Sequence, residues 1–198
     1  MKRSALLIAA LAGALLAPHA QAQQSGPRGY VGFGYGSVWS DGGTFFPNTI
    51  NENTVAGGKI YAGFMRDANW GVELGLHNLG TFDAFLTGVK TDQWKTTAVT
   101  VAGVYTTPLG GGYSFNGRLG LAFTNVEYDC LQICSATVFD NKKRGTSGMF
   151  GLGLGAKLAQ SLEMRIDFDH FGSVHHAVGN TEYKDSYDVF SVNLVLLY

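Results

Sequence analysis

Proline is scarce in this 198-residue chain, with four residues, and cysteine scarcer, with two. So little proline beside 28 glycines excludes a disordered Pro/Gly polymer. Two cysteines cannot build the dense disulfide framework of a small secreted scaffold. No apolar run reaches the roughly 20 residues that a membrane-spanning helix needs. Basic residues show no surplus, 14 against 15 acidic ones, which excludes the basic face of a nucleic-acid binder. A helical reading is disfavoured as well. Glycines recur at alternate positions inside apolar runs, as in Gly32-Phe33-Gly34-Tyr35-Gly36 and Gly151-Leu152-Gly153-Leu154-Gly155, where each would weaken a helix.

What is present begins with a leader. Lys2 and Arg3 precede an apolar stretch over 5–17, and Ala20-Gln21-Ala22 has the small-x-small form of a cleavage site. Residues 1–22 are therefore expected to be a signal peptide, and 23–198 the mature domain. Loss of the two leader cations changes the formal charge to 12 − 15 = −3. If an exported chain of this kind lives in a membrane, it must cross with strands.

The C-terminal residues carry the strongest period-two pattern. Phe190, Val192, Leu194, Leu196 and Tyr198 share one face, while Ser191 and Asn193 lie on the other. A soluble protein ending on such a strand would expose an apolar edge; a barrel closed in lipid has no edge. The same alternation recurs over 29–39, 58–66, 70–79, 96–106, 113–126, 146–158 and 162–171, eight strands with the last. Connections alternate between long (40–57, 80–95, 127–145, 172–186) and short, as extracellular loops and periplasmic turns do in membrane barrels. Aromatic residues gather at strand ends: Tyr30, Trp70, Tyr105, Tyr113 and Tyr198 toward the short turns, Trp39, Trp94, Tyr128 and Tyr187 toward the long segments. They are expected to form two interfacial girdles. The predicted fold is all-β, an eight-stranded antiparallel up-and-down transmembrane β-barrel.

Charge decides which face is inside. A basic residue facing lipid at mid-membrane costs about 2–4 kcal/mol, so Arg118, Lys157 and Arg165 together would forfeit on the order of 6–12 kcal/mol. They are expected to line the lumen with Glu73 and with the alternating acids Glu163, Asp167 and Asp169, and with His77 as a satisfied lumen histidine. An eight-stranded barrel is just wide enough for side chains to fill it, so a packed polar core is expected in place of an open pore.

Over its mature length the chain resembles the eight-stranded transmembrane domain of OmpA-like outer-membrane proteins. The resemblance is carried by Gly29-Tyr30-Val31-Gly32, Gly71-Val72-Glu73-Leu74-Gly75, Arg118-Leu119-Gly120 and Leu162-Glu163-Met164-Arg165-Ile166-Asp167-Phe168. It implies that Glu73 and Arg165 form a plug pair, with Arg118, Lys157, Glu163 and Asp167 around them. It also implies that Phe190, Val192, Leu194, Leu196 and Tyr198 are an assembly signal. The barrel-assembly machinery would read that signal after Sec export and periplasmic chaperones. The archetype's peptidoglycan-binding domain has no counterpart in this sequence, so cell-wall anchoring is not implied. The expected home is the outer membrane of a Gram-negative bacterium, with its lipid and lipopolysaccharide as partners and no cofactor.

Cys130 and Cys134, an even pair in an exported chain, are expected to form a disulfide; a metal site with His175 and His176 is the weaker alternative. The two Gly-x-Gly-x-Gly runs lack the strand–loop–helix context of a phosphate cradle and read as lumen glycines. His170-Phe171-Gly172-Ser173 with Glu182 nearby evokes the His-x-Ser of lipid A deacylases, but position 172 is glycine and Ser173 falls in a predicted loop. The expected function is non-enzymatic, in envelope integrity or in surface interaction through four loops. A lipid-modifying hydrolase and a narrow channel for small solutes are the alternatives.

Overall fold

The computed structural model describes residues 28–41, 50–51, 53–86, 88–130, 142–178 and 181–198. Among these it contains only strands and turns: β1 (Arg28–Ser40), β2 (Ile50–Asn51), β3 (Thr54–Met65), β4 (Trp70–Leu86), β5 (Val89–Gly110), β6 (Tyr113–Cys130), β7 (Lys142–Ala159), β8 (Leu162–Val178) and β9 (Thr181–Leu197). Eight of them pair antiparallel with their neighbours, and β1 pairs with β9 to close the barrel. The two-residue β2 is an addition, paired with the far end of β4. At the seam Tyr198 and Gly29 exchange two backbone hydrogen bonds of 3.0 Å. The predicted leader 1–22 lies outside the described residues.

The register supplies the barrel's dimensions. A row of paired residues leaves β7 at Arg144 and runs through Asn125, Thr97, Asn78, Gly58, Tyr35, Val192 and Ile166. It returns to β7 at Leu154, an offset of 154 − 144 = 10 residues. With a rise of about 3.3 Å per residue and strands about 4.8 Å apart, that offset tilts the strands by about 40° and sets a radius of about 8 Å. Opposite side chains therefore meet.

Outward residues are the apolar set that the alternation predicts, including Phe33, Ile60, Leu74, Val101, Leu121, Leu152, Ile166 and Val192. Six roughly half-exposed leucines, at positions 74, 76, 119, 121, 152 and 154, would alone sacrifice roughly 5–9 kcal/mol in water. That rivals the whole stability of a typical domain, so this surface belongs in lipid. The girdle on the short-turn side consists of exposed Trp70, Tyr105, Tyr113 and Tyr198, with the Trp70 and Tyr105 rings 4.8 Å apart. Trp39 is exposed toward the other end.

Several sequence expectations need correction. Much of the long segments is strand, not loop: β4 reaches Leu86 and β5 starts at Val89, while β8 reaches Val178 and β9 starts at Thr181. Antiparallel pairing satisfies backbone groups above the membrane as well as within it, so the ladder has no reason to stop at the lipid boundary. Tyr30, Trp94 and Tyr187 are not girdle residues but are buried inside the barrel. Of Tyr128 only the backbone is described.

The interior is not uniformly polar either. Between Asn78 and Thr81 the register shifts, and Gly80 adopts φ of 93°, a left-handed conformation that glycine tolerates. This β-bulge reverses the alternation. Below it His77 and Leu79 point inward; above it Phe82 and Ala84 do. Phe82 then stacks on Trp94 at 5.5 Å and leans on Tyr187 at 5.9 Å. An apolar, aromatic layer thus fills the barrel toward the long connections.

Candidate functional site: the charged lumen

Beneath the aromatic layer the inward faces of β3, β4, β6 and β8 bring their ionised groups together. Strand β8 contributes Glu163, Arg165, Asp167 and Asp169 at alternate positions, all buried, and Lys59, Glu73 and Arg118 are buried as well. Lys59 Nζ reaches Asp167 Oδ2 at 2.8 Å and Asp169 Oδ2 at 2.7 Å. Arg118 Nη2 lies 2.9 Å from Asp167 Oδ2 and 3.2 Å from Asp169 Oδ1. These are ionic approaches without hydrogen-bond alignment, since Arg118 Nη2 has no aligned acceptor. On its other side Arg118 Nη1 stands 3.6 Å from Glu73 Oε1, and Tyr30 donates its hydroxyl hydrogen to Glu73 Oε2 at 2.8 Å. Arg118 therefore joins β8 to β4 across the lumen.

A second group lies nearby. Arg165 Nε donates to Glu163 Oε1 at 3.2 Å, and its guanidinium sits 5.5 Å from the centre of the Tyr30 ring, within cation–π range. Asn193 Nδ2 donates to Asp167 Oδ2 at 3.0 Å. His77 Nε2 lies 3.1 Å from Thr100 Oγ1, and its ring meets Phe171 edge-on at 5.1 Å. The cluster holds three cations (Lys59, Arg118, Arg165) and four carboxylates (Glu73, Glu163, Asp167, Asp169), a formal sum of 3 − 4 = −1.

Lumen glycines make room for this. A side chain at Gly151 would strike Asp169, one at Gly153 Asp167, one at Gly34 Asn193, and one at Gly63 the Tyr30 ring. The Gly-x-Gly-x-Gly runs are thus the spaces into which their neighbours' polar groups fold.

A family model described as "Outer membrane protein beta-barrel domain" matches residues 7–196. The chain belongs to this family. Solved outer-membrane barrels share its fold. OprG from Pseudomonas aeruginosa superposes with a TM-score of 0.63 at 17% identity, covering 88% of this chain and 97% of that one. Neisserial surface protein A gives 0.56 at 11% identity, over 87% and 97% of the two chains. The N-terminal β-barrel domain of Pseudomonas aeruginosa OprF gives 0.50 at 14%, over 89% and 100%. No curated protein matches the chain. This is an outer-membrane β-barrel of the OmpA-like kind.

Measured against the expected lumen network, Glu73, Arg118, Glu163, Arg165 and Asp167 are brought together, but with different partners. Glu73 contacts Arg118 and Tyr30, and Arg165 contacts Glu163; among the described residues no Glu73–Arg165 ion pair is found. Lys157 lies outside the cluster, exposed on the last rungs of β7 beside a register shift, where the wall ends. Asp169 joins the cluster beside Asp167, as its alternate position on β8 predicts, and Lys59 is the member that the sequence reading leaves unassigned, its signal being its place on the polar face of β3. Phe190, Val192, Leu196 and Tyr198 are exposed on the outer face of the closing strand or just beyond it, and Leu194 is half-exposed there.

On the outer wall His170 Nδ1 and Asp188 Oδ1 are 2.7 Å apart, with the Phe150 ring 5.0 Å from the imidazole. Ser173 is exposed on β8, not in a loop. Cys134 lies outside the described residues, and of Cys130, His175, His176 and Glu182 only the backbone is described. Among the described residues no cluster of three metal-ligating side chains occurs.

Proposed function

We propose that this protein is a non-enzymatic outer-membrane barrel with a plugged lumen, contributing to envelope integrity and presenting a strand-built rim to the exterior. The observation that supports this reading is the cross-lumen ion cluster at Arg118, overlaid by the Phe82–Trp94–Tyr187 layer. In a barrel of about 8 Å radius such side chains consume the bore. The outer face of β9, ending at Tyr198, would serve as its assembly signal, and lipopolysaccharide would be its principal neighbour. The test is planar-bilayer recording of the purified, folded protein. A quiet baseline is expected, and reproducible conductance steps would refute the plug and favour the narrow-channel reading.

One observation favours a second reading, a lipid-modifying hydrolase: the His170–Asp188 couple on the lipid side of the wall. Among the described residues no hydrogen bond links Ser173 to His170. Mass analysis of lipopolysaccharide incubated with the protein, with Ser173→Ala and His170→Gln as controls, separates the two readings.

A further inference from the structure

The outer wall carries a groove of about 600 Å³ spanning β1 to β6, whose lining includes Lys59 and His77, residues buried in the lumen. Its floor is Gly58, where the nearest atom to an added side chain would be the Gly34 carbonyl oxygen at 3.4 Å. Ile60, Leu76 and Phe123 wall its membrane side, and Thr97 and Asn125 line its opposite rim. Apolar walls below a polar rim fit an acyl chain with its headgroup above.

The charges above the rim indicate the headgroup. Asn125 pairs with Arg144, and Lys95 sits two residues above Thr97 on the same outward face of β5. With strands tilted about 40°, each residue adds about 2.5 Å of height, and each step from β7 toward β5 descends about 3 Å. On that scale Lys95 and Arg144 stand within about 2 Å of one height, and Phe123 lies roughly 8 Å lower. Both cations are exposed and make no ion pair among the described residues. Between them Glu127 is engaged by Lys142 at 2.9 Å. Asp129 is the other outward acid on this part of β6, one rung farther from the lipid.

Resting on the outer-membrane reading above, we propose that this groove binds one bis-phosphorylated, multiply acylated glycolipid of the outer leaflet, the lipid A moiety of lipopolysaccharide. An acyl chain lies over Gly58, and a phosphate sits between Lys95 and Arg144. Long connections face the exterior in such barrels, so the cations meet the leaflet in which that lipid resides. Two guanidinium or ammonium contacts to a phosphate are charge-assisted and favour the phosphorylated form by about tenfold or more.

The test is native mass spectrometry of the full chain, refolded in detergent free of lipopolysaccharide. Bis-phosphorylated lipid A, dephosphorylated lipid A and phosphatidylglycerol are offered in competition. One retained copy of the bis-phosphorylated form is expected, preferred by about tenfold. In Lys95→Gln/Arg144→Gln that preference vanishes. In Gly58→Phe retention of both lipid A forms falls while the preference stays. Equal retention of the two lipid A forms by the unmodified protein overturns the proposal without any variant being folded, as does equal competition by phosphatidylglycerol. Preference surviving in a double variant that shows heat-modifiable migration overturns it as well. None of these results depends on conductance, so the plug and the lipid site stand or fall separately.

Discussion

Arg118 is the member of the lumen cluster whose loss should be felt most, and the size of the effect follows from its surroundings. Its guanidinium meets Glu73, Asp167 and Asp169 at 2.9 to 3.6 Å, and all four residues are buried. Arg118→Met keeps the volume and removes the charge, taking the cluster from 3 − 4 = −1 to 2 − 4 = −2. Breaking a buried pair by deleting one partner costs about 3–5 kcal/mol, because the other charge is left uncompensated. Lys59 still holds Asp167 and Asp169, so the loss should stay in that range and not multiply with the number of contacts. Glu73, left with only the Tyr30 hydroxyl, should carry much of it. The assay is urea unfolding of the barrel in lipid vesicles, followed by tryptophan fluorescence. Arg118→Met/Asp169→Asn restores the sum to 2 − 3 = −1 and should recover more than half of the lost stability. A cost below about 1 kcal/mol for the single variant would refute the coupled cluster. So would a double variant whose cost is the plain sum of the two.

Gly151→Val should push the Asp169 carboxylate away from Arg118 and Lys59, because the added atoms occupy the position of Asp169 Oδ1. Its folded yield should fall below that of Gly117→Val, where nothing lies within 4 Å, as read by heat-modifiable gel migration. Asp185, on β9 above the lipid band, has its carboxyl pushed up by burial to about 6. The folded state therefore holds this proton more tightly than the unfolded state does. Its contribution to stability is full at low pH and is lost as pH rises through about 6. Thermal unfolding at pH 4.5 and 7.5 should show that slope in the native chain and a smaller one in Asp185→Asn.

Much of the barrel was legible because alternation, turn chemistry and charge all pointed to one parity. Leu74, Leu121, Leu152 and Ile166 faced lipid as soon as Glu73, Arg118 and Arg165 were required to avoid it. The strand extensions were hidden for a physical reason. Above the lipid the outer face is polar, as at Lys95 and Glu127, and the inner face is apolar, as at Phe82 and Trp94, so the membrane pattern is inverted there. The ion partners were hidden for another. Whether Glu73 meets Arg118 or Arg165 depends on the shear of ten residues between the ends of a closed row, which no single strand records. Lys157 shares the inward parity of Gly155 but sits where the wall ends, and parity says nothing about where a wall ends.

The bulge at Gly80 makes this barrel a two-storey object whose storeys obey opposite rules. On the lower storey an even-numbered residue of β4 is a lipid contact, so Leu76 tolerates any greasy replacement. On the upper storey an even-numbered residue is a ceiling tile, so Phe82 tolerates few. Excising that one glycine would remove the surplus residue and merge the storeys, since plain alternation then carries Leu79 inward, Thr81 outward and Phe82 inward, each as it stands now. Straightening the bulge with all its residues kept is the drastic edit, because a one-residue slip would then turn Phe82 and Ala84 out of the bore.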